Sequence, residues 1–346
     1  MPAKERNESK DPTTPGMYPV HPLPWHGLGV VLDDCLTIQK TQRLSGLDWS
    51  VRKEPICFQS INDQAQVILC EVPKQYAIVR NDNNYALGVV GEKYEPFQND
   101  AMFEFMGRFM DQCGAKFETC GSLRNGAVVW AMSQAGDMEY LKGDPIAEYF
   151  LFKNGFDADQ AVQICFTNIR VVCKNTLILA LRNARNSYSV RHTTSVHSQV
   201  AAIGEAIAAQ QEYRYALRDA MQELIAKKMT SAQIERATIE IVMDAPIDTD
   251  IFEAGVNLEQ ATALQAKNTL KILELHEYGA GADIPGVRGS AYGLFNACVE
   301  WADHFSIVRP GERTVAEARF TSIMMGAAHQ FKNRAFTYLQ NFARAA

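Results

Sequence analysis

The chain has 346 residues, of which 47% are hydrophobic and 21% are charged, and its formal net charge at pH 7 is −6. This composition is typical of a globular protein of two domains or one elaborated domain, and the acidic balance excludes a uniformly basic surface. No run of 18 apolar residues and no export signal is visible. A cytoplasmic protein with reduced, buried cysteines is therefore expected, with no membrane association, cofactor or metal site.

Residues 1–24 are polar and rich in proline, and they are expected to form a disordered tail. Residues 25–195 are predicted to form an α+β core. Its strands are indicated by alternating apolar residues at Leu47, Trp49 and Val51, by separate runs "QVILCEV" and "YAIVR", and by turn signals such as "NDNN" and "RNG". A short helix near 34–45 and a longer one near 99–113 accompany them. The pattern predicts a curved, mostly antiparallel sheet with packed helices.

Residues 196–346 are predicted to be a helical region, because a segment of 34 residues from Ser195 carries one glycine and no proline. Three pairs with capping-box spacing predict helix starts near 230, 257 and 314: Thr230 with Gln233, Asn257 with Gln260, and Thr314 with Glu317. A glycine-rich stretch at 278–293 interrupts this helical region.

Residues 160–204 contain no aspartate or glutamate, although the whole chain is acidic. These residues carry a net charge of +5. Since the whole chain carries −6, the remainder of the chain carries −11. The five cations are Arg170, Lys174, Arg182, Arg185 and Arg191. A helix is predicted over 171–184, and at about 100° per residue the first four cations fall within an arc of about 120°. Two interpretations stay open: a core helix whose cations reach outward, or a cationic groove that holds a phosphate backbone.

Lys93 and Tyr94 place a cation beside an aromatic ring, with Phe97 close by in the sequence. This combination suits single-stranded nucleic acid, although aromatic residues ahead of a helix also serve as core contacts. No phosphate-binding glycine loop and no recognisable catalytic motif occurs, so no catalytic residue is predicted.

Several sequence blocks, in the same linear order, resemble the phage/plasmid-like family of domain-of-unknown-function proteins. They include "WHGLG", "SGLDWSV", "LGVVGEKYEPFQNDAMFEF", "FTNIRVVCKNTLILAL" and "RGSAYGLFNACVEWADH". The resemblance runs from about Trp25 to near the C-terminus. It implies a phage, prophage or plasmid setting, and it brings no established activity.

A remoter resemblance is to the core of the single-strand annealing protein superfamily, which includes RecT, Erf, Red-beta and the Rad fifty-two protein. It is carried by the order of a short helix, the "GLDWSV" strand, curved hairpins and a helix rich in lysine and arginine. In that fold, a helix on a β-sheet helps form a positively charged groove around an oligomeric ring. The resemblance implies that Lys174, Arg182 and Arg185 lie near DNA, with Lys93, Tyr94 and Arg124 as further candidates.

The resulting hypothesis is a non-enzymatic protein that binds single-stranded DNA and anneals complementary strands in phage or plasmid recombination, as a ring or filament of identical subunits. Two alternatives stay open. One is a factor that binds a host protein through helices at 195–228 and 257–277. The other is a small-molecule or nucleotide enzyme that uses His26, Arg124 and Arg288.

Overall fold

A computed structural model describes residues 28, 30–31, 37–113, 115–172, 175–177, 179, 187–207, 211–247, 262–311 and 313–345. Within these residues the chain is an α+β structure, as the sequence predicts, and its strands form two antiparallel sheets where one curved sheet was expected. No helix in this part of the chain is both long and apolar enough to cross a membrane. The predicted tail at 1–24 lies outside the described residues.

The strands are β1 (Val30–Val31), β2 (Val51–Ile61), β3 (Val67–Arg80), β4 (Ala86–Gly91), β5 (Lys116–Leu123), β6 (Val128–Leu141), β7 (Asp144–Gly155), β8 (Val162–Arg170), β9 (Asn175–Leu177) and β10 (Ser187–Val190). The helices are α1 (Ile38–Leu44), α2 (Asn99–Cys113), α3 (Val196–Ile207), α4 (Gln211–Ala226), α5 (Ser231–Met243), α6 (Ala263–Tyr278), α7 (Ala291–Glu300), α8 (Val315–Met325) and α9 (Ala327–Arg344). A 3₁₀ turn (Arg124–Gly126) joins β5 to β6, and a π-helical turn (Trp301–Phe305) extends α7.

The smaller sheet has the strand order β2-β3-β4. The prediction of separate strands at "QVILCEV" and "YAIVR" was wrong, because both belong to β3. A register shift between Pro55 and Cys57 and a positive φ of 59° at Lys74 bend the β2–β3 pair without ending it. Cys57 is exposed on this pair, which corrects the expectation that the cysteines are buried.

The larger sheet has the order β1-β5-β6-β7-β8-β10, with β9 also paired to β8. Helix α2 covers one face, where the Phe109 and Phe150 rings stack at 4.1 Å. Helix α8 covers the other face, where Trp130 and Phe320 lie 5.3 Å apart. Both faces of the central strands are therefore buried, which explains why β7 is an almost continuous apolar run.

The helical region packs around α7, whose residues 291–299 are all buried. The capping boxes predicted at Thr230 and Thr314 are confirmed as the starts of α5 and α8. The predicted start near Asn257 lies outside the described residues, and α6 begins after a capping box at Thr262. Core residues of the sheet and of these helices belong to one hydrophobic cluster.

The predicted helix over 171–184 was wrong where the structure describes it. The chain turns at residues 171–172, and β9 then pairs antiparallel with β8. The carboxylate of Asp303 accepts the backbone N–H of Thr176 at 2.7 Å, so a partner from the helical region fixes this strand. Apolar spacing over so short a segment fits either a strand or a helix, and here tertiary contacts decide between them.

Candidate nucleic-acid-binding surface

The structure describes five of the eight residues predicted to bind nucleic acid, and it separates one of them from the rest. These five are Lys93, Tyr94, Arg124, Arg170 and Arg191, whereas Lys174, Arg182 and Arg185 lie outside the described residues. Tyr94 and Arg124 contact the loop between β7 and β8 or its edge, and Lys93 and Arg191 directly precede Tyr94 and His192, whose rings stack on each other. We call the surface formed by Lys93, Tyr94, Arg124, Arg191 and this loop the loop surface.

Arg170 is the exception, because in this structure its side chain is buried and paired and is not accessible to a phosphate. Its side chain is 1% exposed, and its Nε lies 2.7 Å from the Asp144 carboxylate, which is also buried. Its two terminal nitrogens donate to the carbonyls of Ala280 and Gly281 at 2.9 and 3.3 Å. Burial of such a charge requires a charged partner and full hydrogen bonding, so Arg170 joins the sheet to the helical region.

Tyr94 and His192 form the aromatic centre of the loop surface. Their rings stack with centroids 4.7 Å apart, and the Tyr94 hydroxyl donates to the carbonyl of Gly155 at 2.9 Å. His192 Nδ1 lies 3.2 Å from the carbonyl of Glu95, which can only accept, so Nδ1 carries the proton. Burial lowers the pKa of His192 and raises that of Tyr94, which keeps both rings neutral.

Arg124 reaches the same loop through an ion pair with Asp157. It lies in the turn between β5 and β6, where its φ of 51° is left-handed, and its backbone N–H donates to the Glu317 carboxylate at 3.0 Å. The Arg124 side chain is 39% exposed while the Asp157 side chain is 9% exposed. Arg124 is thus partly neutralised, and a phosphate would have to compete with Asp157.

Lys93 and Arg191 are the exposed cations of the loop surface. Neither forms an ion pair with another residue in the described part of the chain. Lys93 stands close to exposed Glu92 and Glu95 in the sequence, whereas Arg191 directly follows β10 in the segment that has no acids. The two cations flank the stacked pair in sequence, since Tyr94 follows Lys93 and His192 follows Arg191.

Two lysines of the same neighbourhood were not predicted from the sequence. Lys53 Nζ donates to the carbonyl of Tyr94 at 3.2 Å and lies 4.4 Å from the Tyr76 ring centroid. Lys153 is buried within "FLFKNG" and donates to Gln160 Oε1 at 2.7 Å. Burial lowers the pKa of Lys153 to about 8. The sequence could have indicated Lys153, because it is a lysine inside an apolar run. No such pattern marks Lys53.

Of the residues named for a small-molecule enzyme, the structure describes Arg124 and Arg288 and does not bring these two together. His26 lies outside the described residues. Arg288 donates to the carbonyl of Glu277 at 2.7 Å, while Arg124 contacts Asp157 and Glu317. Among the described residues these two arginines share no contact.

Comparison with known proteins gives a family and no activity. No curated protein and no solved structure matches this chain with statistical significance. The family model described as "Domain of unknown function (DUF932)" matches residues 86–324, which is more than half of the chain. The matched region runs from the start of β4 to near the end of α8 and so contains Lys93, Tyr94, Arg124 and Arg191. The chain therefore belongs to the DUF932 family, as its resemblance to domain-of-unknown-function proteins led us to expect.

Proposed function

We propose that this protein binds single-stranded DNA at the loop surface and promotes annealing of complementary strands during phage or plasmid recombination in the cytoplasm. The observation that carries the proposal is the placement of Lys93 and Arg191 beside the stacked Tyr94–His192 pair. Exposed cations that neutralise phosphates are what non-specific single-strand binding requires, and the stack of partly buried Tyr94 on buried His192 holds the two backbone segments that carry them. No bond is broken in this reaction, so no catalytic group is needed.

Charge patterning gives the proposal its second support. Arg191 belongs to the segment 160–204, which carries five cations and no acid. Acids in that segment would repel a phosphate backbone, and the acids at the loop surface, Glu92, Glu95 and Asp157, lie outside the segment. The proposed likeness to single-strand annealing proteins now depends on this surface, because the basic helix predicted over 171–184 is replaced by a turn and β9 at its start.

Binding of a fluorescent single-stranded oligonucleotide at two salt concentrations tests the proposal. We expect salt-sensitive binding, with log K falling by about 0.7 per unit of log salt for each phosphate contact. The double variant Lys93→Glu/Arg191→Glu should bind at least tenfold more weakly and show a shallower salt slope. Arg182→Glu/Arg185→Glu tests the acid-free segment in the same way. A parallel assay should follow annealing of two complementary labelled strands.

Arg218→Glu is the matched control for these charge reversals. Arg218 lies on α4, its side chain is 52% exposed, and its ion-pair partner is the exposed Asp219. It should leave binding within about twofold of the wild-type value, because Arg218 is not a residue of the loop surface and an exposed charge is screened by salt. Absence of binding at low salt would reject the proposal and favour a protein partner.

A further inference from the structure

The outer part of the β2–β3 pair forms an arm that the rest of the chain does not cover. The arm comprises residues 57–71, beyond the register shift at Pro55. Strand β4 pairs with β3 only between Gln75 and Val79, so the arm is a two-stranded ribbon about 15 Å long. All hydrogen bonds of the arm within the described residues are internal to the hairpin.

Both faces of the arm are apolar, which is unusual for an exposed ribbon. Paired residues of an antiparallel ribbon point to the same face. One face therefore carries Ile61, Val67 and Leu69, which are 72%, 66% and 71% exposed, and the other carries Phe58 and Ile68. A two-stranded hairpin is at best marginally stable in water, and an exposed apolar strand promotes association. Covering both faces requires a cleft with two walls.

The same chain carries such a cleft between α6 and the π-helical turn, with a volume of about 770 Å³. We call it the α6 groove. Leu264 and Leu270 on α6 form one wall, where they are 51% and 58% exposed. Phe305 and Ile307 form the other wall, where they are 47% and 73% exposed. A second depression, which shares Leu264, Trp301 and Ile307, continues the groove towards α9.

The charges of the arm and of the α6 groove are complementary. The arm carries two charged residues, Asp63 in its turn and Glu71 at its base. The groove is lined by Lys267, which has no ion pair within the described residues, and by Lys271, which pairs with Glu274 at 2.8 Å. An acidic turn entering the groove would meet a net positive lining, so the charges favour the arm of this same protein as the occupant.

We propose that the arm of one subunit inserts into the α6 groove of a second copy of this chain. Arm and groove are different surfaces, both exposed on the same subunit, so the contact is head-to-tail and a pair of subunits retains one free arm and one free groove. Repetition gives a closed ring or a filament. The inference rests on the proposed function, because annealing needs a repeated track of DNA-binding surfaces, but the contact forms without DNA.

Sedimentation velocity of two variants and of their mixture tests the contact. Ile61→Ser/Leu69→Lys disables the arm, and Leu270→Glu/Ile307→Glu disables the groove. We expect wild-type protein to assemble beyond the dimer and each variant to sediment as a monomer. Mixing the two variants should give a one-to-one dimer and nothing larger, since one intact arm and one intact groove remain. Circular dichroism should confirm that both variants are folded.

Val89→Ser and Tyr278→Ser are the matched controls. Val89 is 55% exposed on β4 of the same sheet, and Tyr278 is 84% exposed at the end of α6 and is not among the residues that line the groove. Both controls should assemble as the wild type does. A monomeric wild type, with and without an oligonucleotide, would overturn the inference. Assembly that survives the arm or groove substitutions, or a mixture that stays monomeric, would also overturn it.

The same samples separate this inference from the proposed function. Oligonucleotide binding should be measured on the monomeric variants with a strand short enough for one subunit. Head-to-tail assembly without any DNA binding would reject the proposed function and leave the contact standing. DNA binding by a wild type that remains a monomer would reject the contact and leave the DNA-binding surface standing.

Discussion

At the scale of single residues, an ion pair between α9 and the π-helical turn is completely buried. Lys332 and Asp303 are both 0% exposed, with Nζ 2.8 Å from Oδ1. Lys332 also donates to the carbonyl of Thr176 at 2.6 Å. Together the two side chains satisfy the backbone of β9, where the sequence predicted a helix. The sequence gave no sign of this pairing, because the partners are 29 residues apart.

Replacing Lys332 by Met should lower the free energy of unfolding by about 3–5 kcal/mol, because Asp303 would remain buried without a counter-charge. The double variant Lys332→Met/Asp303→Asn should be less destabilised, because the amide oxygen still accepts the Thr176 N–H and no charge is buried. Urea denaturation measures both. The exposed Arg218–Asp219 pair is the control, since Arg218→Met should cost less than about 1 kcal/mol. Equal losses in the single and double variants would contradict the argument.

At the scale of elements, the loop surface depends on how closely β4 approaches the loop between β7 and β8. A Cβ atom on Gly88 would lie 2.5 Å from the Cα of Asp157, which is backbone and cannot rotate away. Glycine at this position therefore allows the smaller sheet to pack against the β7–β8 loop, whose Asp157 forms the ion pair with Arg124. The sequence shows the glycine but not its neighbour, which is 69 residues away in the chain.

Gly88→Ala should destabilise the protein by about 1–3 kcal/mol, the usual cost of forcing extra volume into a packed site. Gly91→Ala on the same strand is the matched control, because a Cβ there meets nothing within 4 Å. Thermal unfolding of the two variants compares them directly. If Gly88→Ala melted at the same temperature as Gly91→Ala, the close approach would not contribute to stability.

The elements with strong local signals could be predicted from the sequence. Helix α2 and the capping boxes at Thr230 and Thr314 depend on neighbouring side chains, so they form as predicted. The "RNG" turn is likewise fixed by local left-handed backbone, at Arg124, Asn125 and Gly126. The segment that begins at Val171 has no such signal. Its outcome depends on contacts with β8 and with Asp303, which spacing along the chain does not reveal.

At the scale of the whole molecule, the α+β part and the helical region share one hydrophobic cluster. Trp130 of β6 packs on Phe320 of α8, and Arg170 of β8 binds the carbonyl of Ala280 beyond α6. A boundary near residue 195 therefore separates two kinds of secondary structure that are packed against each other. Contacts of this kind couple the stability of the two parts.

We expect a single cooperative unfolding transition in urea. Far-UV circular dichroism reports mainly on the helices, while tryptophan fluorescence reports on both parts through Trp49, Trp130 and Trp301. The two curves should coincide, as they do for one cooperative unit. Arg170→Met leaves Asp144 buried without its counter-charge. It should lower the free energy of unfolding obtained from each curve by the same amount, about 3–5 kcal/mol. Two separated transitions would show that the helical region unfolds independently.

The sequence by itself determined the α+β composition, the antiparallel hairpins, the starts of α2, α5 and α8, and the acid-free segment, because each is encoded by residues close together along the chain. Among the described residues, only the tertiary structure decided which cations are exposed and unpaired, and so accessible to a phosphate. It buried Arg170 against Asp144, paired Arg124 with Asp157, and left Lys93 and Arg191 exposed. It also showed that the apolar residues of the arm are uncovered. Charge and hydropathy are properties of a residue, whereas burial and pairing depend on which distant residues the fold brings beside it.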